Sequence, residues 1–279
     1  MINPESVDLV IYHSGCSDGF GAAWAAWKLL GSKAEYLAFF PGSRAPDVRG
    51  RTVAVCDLSF SKQDTLKMIS ESKGFIMLDH HKTAKENLEG VEHCVIDMTR
   101  SGAMLAWNFF HPNAPAPKLI EYIQDQDLWR HNLPFSKEIN SDIDITPQDF
   151  ESFDKLLKDE EIELAKSRGI VMKAYKEALV NKIAKTHTMK SIFGSTAAVV
   201  NSQTFRNELG AKLAKTADVA FVWYRNHAEN KILVSLRSNK VDVSVIAQRW
   251  GGGGHRTAAA FVLENCLSVE CVFDKNDLL

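Results

Sequence analysis

Five aspartates and three histidines in the first half of the chain have the chemistry to hold divalent metal ions: His13, Asp18, Asp57, Asp79, His80, His81, Asp125 and Asp127. Most follow directly on apolar runs. His13 comes after "VDLVIY", with Asp18 in the polar turn behind it; Asp57 ends "VAVCD", and "FIMLDHH" delivers Asp79, His80 and His81. Asp97 ends "HCVID", while Asp125 and Asp127 sit in "YIQDQDLW". Carboxylates gathered on one edge would repel one another unless a metal cluster compensated them. Aspartate with histidine, and no thiolate cluster, suits manganese, magnesium, cobalt or iron better than structural zinc, and the imidazoles favour manganese. Two ions about 3.5–4 Å apart, joined by a carboxylate, would activate water and stabilise charge gathering on phosphorus.

A second group lies near the other end, in "RWGGGGHRTAAAF". Exposed backbone N–H groups of Gly252, Gly253 and Gly254, beside His255 and Arg256, could cradle an anion. Four successive glycines are expected to serve no packing purpose. Arg237, in "VSLRSN", would add a planar fork to the same phosphate.

These residues need elements to carry them. "VDLVIY", "EYLAFF", "TVAVCD", "GFIMLD" and "EHCVID" read as buried strands. "GAAWAAWKLL", "KQDTLKMISES" and "GAMLAWNFF" read as helices between them, an alternation that predicts a parallel sheet with helices on its faces. Ligands in such a sheet bind outside the carboxyl ends of the strands. "HPNAPAP" is a loop and "KLIEYIQDQDLW" a helix. Residues 146–186 read as a charged helical linker, starting with a proline after Thr146, in which Met172, Tyr175, Leu179 and Ile183 form a packing stripe. Beyond it "STAAVV", "DVAFVWY", "KILVSLR" and "TAAAFVL" read as strands and "SVIAQRW" as a helix. The expected domains are 1–145, 146–186 and 187–279.

At 279 residues the chain can bury two cores. Its net charge of −2 argues against coating a long nucleic-acid track, though not against a short anionic substrate. The opening "MINPESVDL" lacks a signal-peptide core, and no apolar run is long enough to span a membrane. Five cysteines without a CxxC pair fit reduced thiols and a cytoplasmic location.

Together, "LDHHKTA" and "GGGGHRTAAAF" resemble the DHH phosphoesterase family, in the branch with a DHH-associated C-terminal domain, over essentially the whole chain. The resemblance implies an α/β fold: a parallel-sheet N-terminal domain, a smaller C-terminal domain with a mixed sheet, and an active site in the cleft between them. It implies metal ligands at His13, Asp18, Asp57, His80 and Asp125, with Asp57 and Asp125 bridging, and Asp57, His80 and His81 at the centre of catalysis. Asp79 would orient an imidazole, and Asp127 would cap or support the site. His81, Arg237, the glycines, His255 and Arg256 would contact substrate phosphate. Arg100 and Ser101 would line the cleft, or Ser101 would start a helix. Cys16 stands where relatives place a carboxylate, which leaves one of the two ion sites weak. Ala260 stands where the family usually has glycine.

The expected activity is manganese-dependent hydrolysis, with magnesium or cobalt as substitutes, of linear dinucleotides and very short RNA to nucleoside monophosphates by a monomer or homodimer. The alternatives are an exopolyphosphatase or pyrophosphatase, against which the GGGH motif counts, and a non-catalytic nucleotide sensor, which the intact acids oppose.

Overall fold

The computed structural model describes residues 2–40, 43–264, 266 and 268–273. The chain divides into two compact units, residues 1–173 and 174–279.

The first unit runs β1 (Leu9–His13), α1 (Ser17–Leu30), β2 (Glu35–Phe39), β3 (Thr52–Cys56), α2 (Lys62–Glu71), β4 (Gly74–Asp79), α3 (Lys82–Leu88), β5 (Cys94–Ile96), α4 (Gly102–Phe110), α5 (Lys118–Asp127), α6 (Ser136–Ile143), α7 (Phe150–Lys155) and then α8 (Asp159–Ala184). Its strands lie in the order β2-β1-β3-β4-β5, all parallel. Both faces are covered, which is why these strands read as unbroken apolar runs. One face packs Val10, Ala54, Ile76 and Leu78 against Trp24 of α1, Phe110 of α4 and Ile120 of α5. The other packs Ile11, Val53, Val55 and Met77 against Met68 of α2 and Leu88 of α3. Helix α1 begins four residues before the expected "GAAWAAWKLL", because the Cys16 side chain accepts the Gly19 N–H and starts the helix there.

The stretch expected as a linker is not separate from the cores. Phe153 of α7 is fully buried against Phe20 of α1. The first half of α8 joins the same unit through Arg168, which donates to both oxygens of Asp142 at 2.7 Å. Val180 and Ala184, in its last turns, belong to the second unit's core. The expected packing stripe holds only in part: Tyr175 is 68% exposed, Met172, Leu179 and Ile183 are half-buried, Ile183 against the second unit's core, and the buried positions among the described residues of α8 are Ala165, Gly169, Val180 and Ala184.

The second unit continues with β6 (Thr188–Ile192), β7 (Ser195–Asn201), α9 (Arg206–Leu213), β8 (Val219–Asn226), β9 (Lys231–Arg237), α10 (Val243–Gln248), β10 (Gly253–Gly254) and β11 (Ala258–Glu264). The strand order is β10-β11-β9-β8-β7-β6, with β7 and β8 parallel and the other neighbours antiparallel. Helix α9 covers Ala198, Val200, Ala220 and Val222, and α10 covers the opposite face around Phe221, Leu236 and Phe261.

The glycine run does have a packing purpose, contrary to expectation. A Cβ on Gly252 would sit 2.1 Å from the Ala260 carbonyl oxygen, so only glycine lets this segment lie against β11. Gly253 and Gly254 then pair with Ala260 and Ala259. No helix among the described residues is long and apolar enough to cross a membrane.

Candidate metal centre

Strands β1, β3 and β4 are neighbours in register, with Tyr12 opposite Cys56 and Cys56 opposite Leu78. The next residue along each strand is His13, Asp57 and Asp79, so three expected residues emerge level at the carboxyl edge of the sheet. Asp57 turns sharply there, with φ of 61°. A non-glycine residue in that conformation costs roughly 1–3 kcal/mol, a cost that the surrounding structure must offset.

His80 sits in the middle of the acids. Its Nε2 is 3.1 Å from Asp57 Oδ1, 3.6 Å from Asp127 Oδ2 and 3.7 Å from Asp18 Oδ2. A single ring N–H cannot satisfy three carboxylates. Burial pulls the imidazole towards neutrality, but Asp57, then Asp127 and Asp18, push its pKa up to about 10. Burial and the nearby Asp18 charge hold the Asp57 carboxyl well above the usual carboxylate range.

The other Asp57 oxygen faces a second cluster. Oδ2 is 3.9 Å from His13 Nδ1 and 3.6 Å from Cys16 Sγ, which is itself 2.9 Å from His13 Nδ1. Burial, reinforced by the positive charge of His81, lowers the His13 pKa to about 4, leaving a neutral imidazole. Asp57 thus belongs to one ligand group, with His13 and Cys16, and adjoins a second, Asp18 with His80 and Asp127, through its Oδ1; a further group joins it to Asp79 and His81. Within each, the ligand atoms lie within 4.8 Å of one another. Oxygen and imidazole donors with unresolved carboxylate repulsion fit hard divalent cations such as manganese or magnesium.

Cys16 has two tasks. Its sulfur accepts the Gly19 N–H at 3.2 Å and also faces the second cluster. Burial, then the charges of Asp57 and Asp18, raise its pKa well above the ordinary thiol value, so it stays a neutral thiol in the metal-free protein. Asp18 also has a structural task, accepting the Gly102 and Ala103 N–H groups at 2.7 and 3.0 Å. This ties α1 to the start of α4. Gly102 is required there, because a Cβ would come within 2.4 Å of the Asp57 side chain. No signal in the sequence beyond the helix start in "TRSGA" marked that glycine.

Asp79 orients an imidazole, and that imidazole belongs to His81. Its Oδ1 accepts the His80 and His81 backbone N–H groups at 2.7 and 3.3 Å and lies 2.7 Å from His81 Nδ1. Although burial opposes it, the charge of His81 helps to hold the Asp79 pKa at about 2. Burial also opposes a charged His81, but Asp79 raises its pKa to about 9.

The two acids of α5 exchange their expected places. Asp125 is turned into its own loop, accepting the Asn132 and Leu133 N–H groups at 2.9 and 3.2 Å. Burial works against its charge, but the Ser136 hydroxyl and those amides hold the carboxyl below its usual range. Asp127 is the α5 acid beside His80.

Arg100 pairs with Asp97 at 2.8 Å and with Asn108 at 2.9 Å, and Asp97 also accepts the Thr99 N–H. Ser101 caps α4 through the Met104 N–H. Of its two expected roles, the helix start is the one observed.

In the second unit Arg237 donates to the Leu236 carbonyl at 2.8 Å and to Asn207 Oδ1, with its stem lying over Gly210. The His255 N–H donates to the Ala258 carbonyl at 2.7 Å, closing the tight turn between β10 and β11. Arg256 reaches the Lys240 carbonyl at 3.4 Å.

The charged states predict how metal binds. Near neutral pH the metal-free protein holds protons on the Asp57–His80 pair, and they must leave when a cation enters. Apparent affinity should therefore rise with pH, by roughly tenfold per unit for each proton displaced. Calorimetry in buffers of different ionisation enthalpy checks this. Proton-independent uptake would contradict it.

Residues 190–276 match the DHHA1 domain. The uncharacterized protein R106 of Acanthamoeba polyphaga mimivirus is 30% identical over 304 residues, covering 98% of this chain and 72% of that protein. Among solved structures, the pGpG-specific phosphodiesterase PggH from Vibrio cholerae aligns with a TM-score of 0.51 and 13% identity, over 93% of this chain and 94% of that one. RecJ from Thermus thermophilus, in complex with Mn2+, aligns with a TM-score of 0.54 and 16% identity, over 94% of this chain and 50% of that one.

Proposed function

The chain belongs to the DHH phosphoesterase family, and from that premise we propose that it is a metal-dependent phosphodiesterase that hydrolyses linear dinucleotides and very short RNA to nucleoside 5′-monophosphates. The observation that carries this reading is the Asp57 carboxylate, whose two oxygens face two separate ligand groups. His13, Asp57, Asp18, His80 and Asp127 would hold two divalent ions, preferably manganese. Bound there, the ions would supply an activated water and charge stabilisation at phosphorus.

The protein's own groups do the rest. Asp79 fixes the His81 ring through its Nδ1, and at neutral pH that ring is a cation able to hold a phosphate oxygen. Gly252, Gly253, Gly254, His255, Arg256 and Arg237 are proposed to bind the phosphates of the substrate. The net charge of −2 favours short chains, because a long one needs a basic track. PggH, which this chain resembles in fold, is a pGpG-specific phosphodiesterase.

The test supplies manganese with 5′-phosphorylated diguanylate, with two-, five- and twenty-nucleotide RNA, and with polyphosphate and pyrophosphate. The expected result is mononucleotide release, fastest from the shortest RNA. Orthophosphate release from polyphosphate, or preference for the longest RNA, would replace this reading.

Cys16 is proposed to leave the ion position beside His13 and Asp57 the weaker of the two, since a neutral thiol is a poor donor to hard ions. Cys16→Asp should tighten the weaker of two manganese-binding steps, and Cys16→Ser should leave both steps unchanged. If Cys16→Ser removes a tightly bound ion, the sulfur is a firm ligand.

A further inference from the structure

The second unit carries an open pocket of about 420 Å³, whose lining includes Asn201, Gln203, Trp223, Tyr224, Arg225 and His227. Its origin lies in the sheet. Strand β7 ends at Asn201, opposite Trp223, while β8 runs on to Asn226. Among the described residues no strand flanks β8 on that side beyond Trp223, and the resulting notch leaves Trp223, Tyr224 and Arg225 half-buried.

This notch is not the glycine-rich segment. Arg237 pairs with Ala220 at the start of β8, whereas Tyr224 pairs with Leu233 four residues further along. Trp223, the nearest lining residue on β8, is three residues from Ala220, which at about 3.3 Å per residue separates Arg237 from the pocket by roughly 10 Å along the sheet. His255 and the glycines lie at the Arg237 end, since Ala258 pairs with Arg237.

The lining chemistry is selective. Trp223 offers a flat aromatic surface on the sheet face it shares with Arg225, whereas Tyr224 points to the opposite face, where the Arg206 guanidinium lies 5.3 Å from its ring centre. The Gln203 amide makes no hydrogen bond to the described residues and can read the edge of a base. Arg225 is steadied by Asn230 Oδ1 at 2.8 Å, and together with His227 it supplies donors for an anion. The volume falls within the range of small-molecule sites, roughly 300–1,000 Å³. The Trp223 face, an amide and a guanidinium lining such a space match a base joined to a phosphate.

We propose that this notch binds one nucleoside monophosphate at a site separate from the glycine-rich segment of the same unit. The proposal does not depend on what the metal centre hydrolyses.

The experiment titrates adenosine 5′-monophosphate by calorimetry into the full chain carrying Asp57→Asn and His81→Ala, in excess chelator, so that neither a bound ion nor the His81 cation holds the nucleotide. One saturable site per chain is expected. Arg225→Gln and Trp223→Ala should each weaken it at least tenfold, while His255→Ala and Arg237→Gln leave it unchanged. Trp223→Phe, which keeps an aromatic face, should retain binding. Ribose 5-phosphate and adenosine should each bind at least tenfold more weakly than the nucleotide. In the chain with Asp57 and His81 intact, Arg225→Gln should leave dinucleotide hydrolysis unaltered, so a hydrolase that fails and a pocket that fails give different results. Absence of saturable binding, or its loss in His255→Ala instead of Arg225→Gln, would overturn the proposal.

Discussion

Asp57→Asn should lower hydrolysis by at least about 10³-fold, because the carboxylate that faces both ligand groups loses its charge. The same change should not destabilise the metal-free protein. Asparagine tolerates the left-handed backbone at this position, where φ is 61°. The substitution also removes a buried acid whose ionised form is disfavoured by burial and by Asp18. The two measurements are turnover at saturating manganese and the melting temperature in chelator. Lost activity with an unchanged or raised melting temperature is the expected pair. A well-folded variant that keeps full turnover would end the shared-carboxylate reading.

The second large effect separates the acids of α5. Asp127→Asn should lower metal affinity and turnover by on the order of 10²-fold or more, with little change in stability, since its carboxylate lies beside His80 at the solvent-accessible side of the cluster. Asp125→Asn should do the reverse. Its carboxylate accepts two backbone N–H groups, so weakening that acceptor should cost about 1–3 kcal/mol of stability while activity persists below the melting transition. Parallel thermal melts and manganese titrations on the two variants decide the matter. If Asp125→Asn loses metal and Asp127→Asn does not, Asp125 is the ligand and its loop must open to admit the ion.

That exchange shows where sequence reading stops. Asp125 and Asp127 are two positions apart on a helix, so their side chains point about 200° apart and only one can face the strand ends. Which one does so depends on how α5 is rotated. The burial of Leu119, Ile120 and Ile123 sets that rotation, and nothing within "YIQDQDLW" reveals it. The glycine run was misread for a related reason. The backbone approach that forbids a Cβ at Gly252 comes from Ala260 and Phe261, on a different strand. Ser101 differs because a helix start is a local event: the serine hydroxyl and the Met104 N–H are three residues apart, so that role was legible.

The sequence by itself determined the parallel α/β character of the first unit and the gathering of His13, Asp57 and Asp79 on one edge. Apolar runs that end in acids and imidazoles must put those side chains at the same end once the strands run parallel. Tertiary structure alone decided which atoms meet. It turned one Asp57 oxygen towards His80 and the other towards His13 and Cys16. It gave the Asp18 oxygens to the start of α4, chose Asp127 over Asp125, and opened the notch where β7 ends before β8. The physical reason is that strand direction follows from local pattern, whereas the direction of a carboxylate depends on donors and packing contributed by residues far away in the chain.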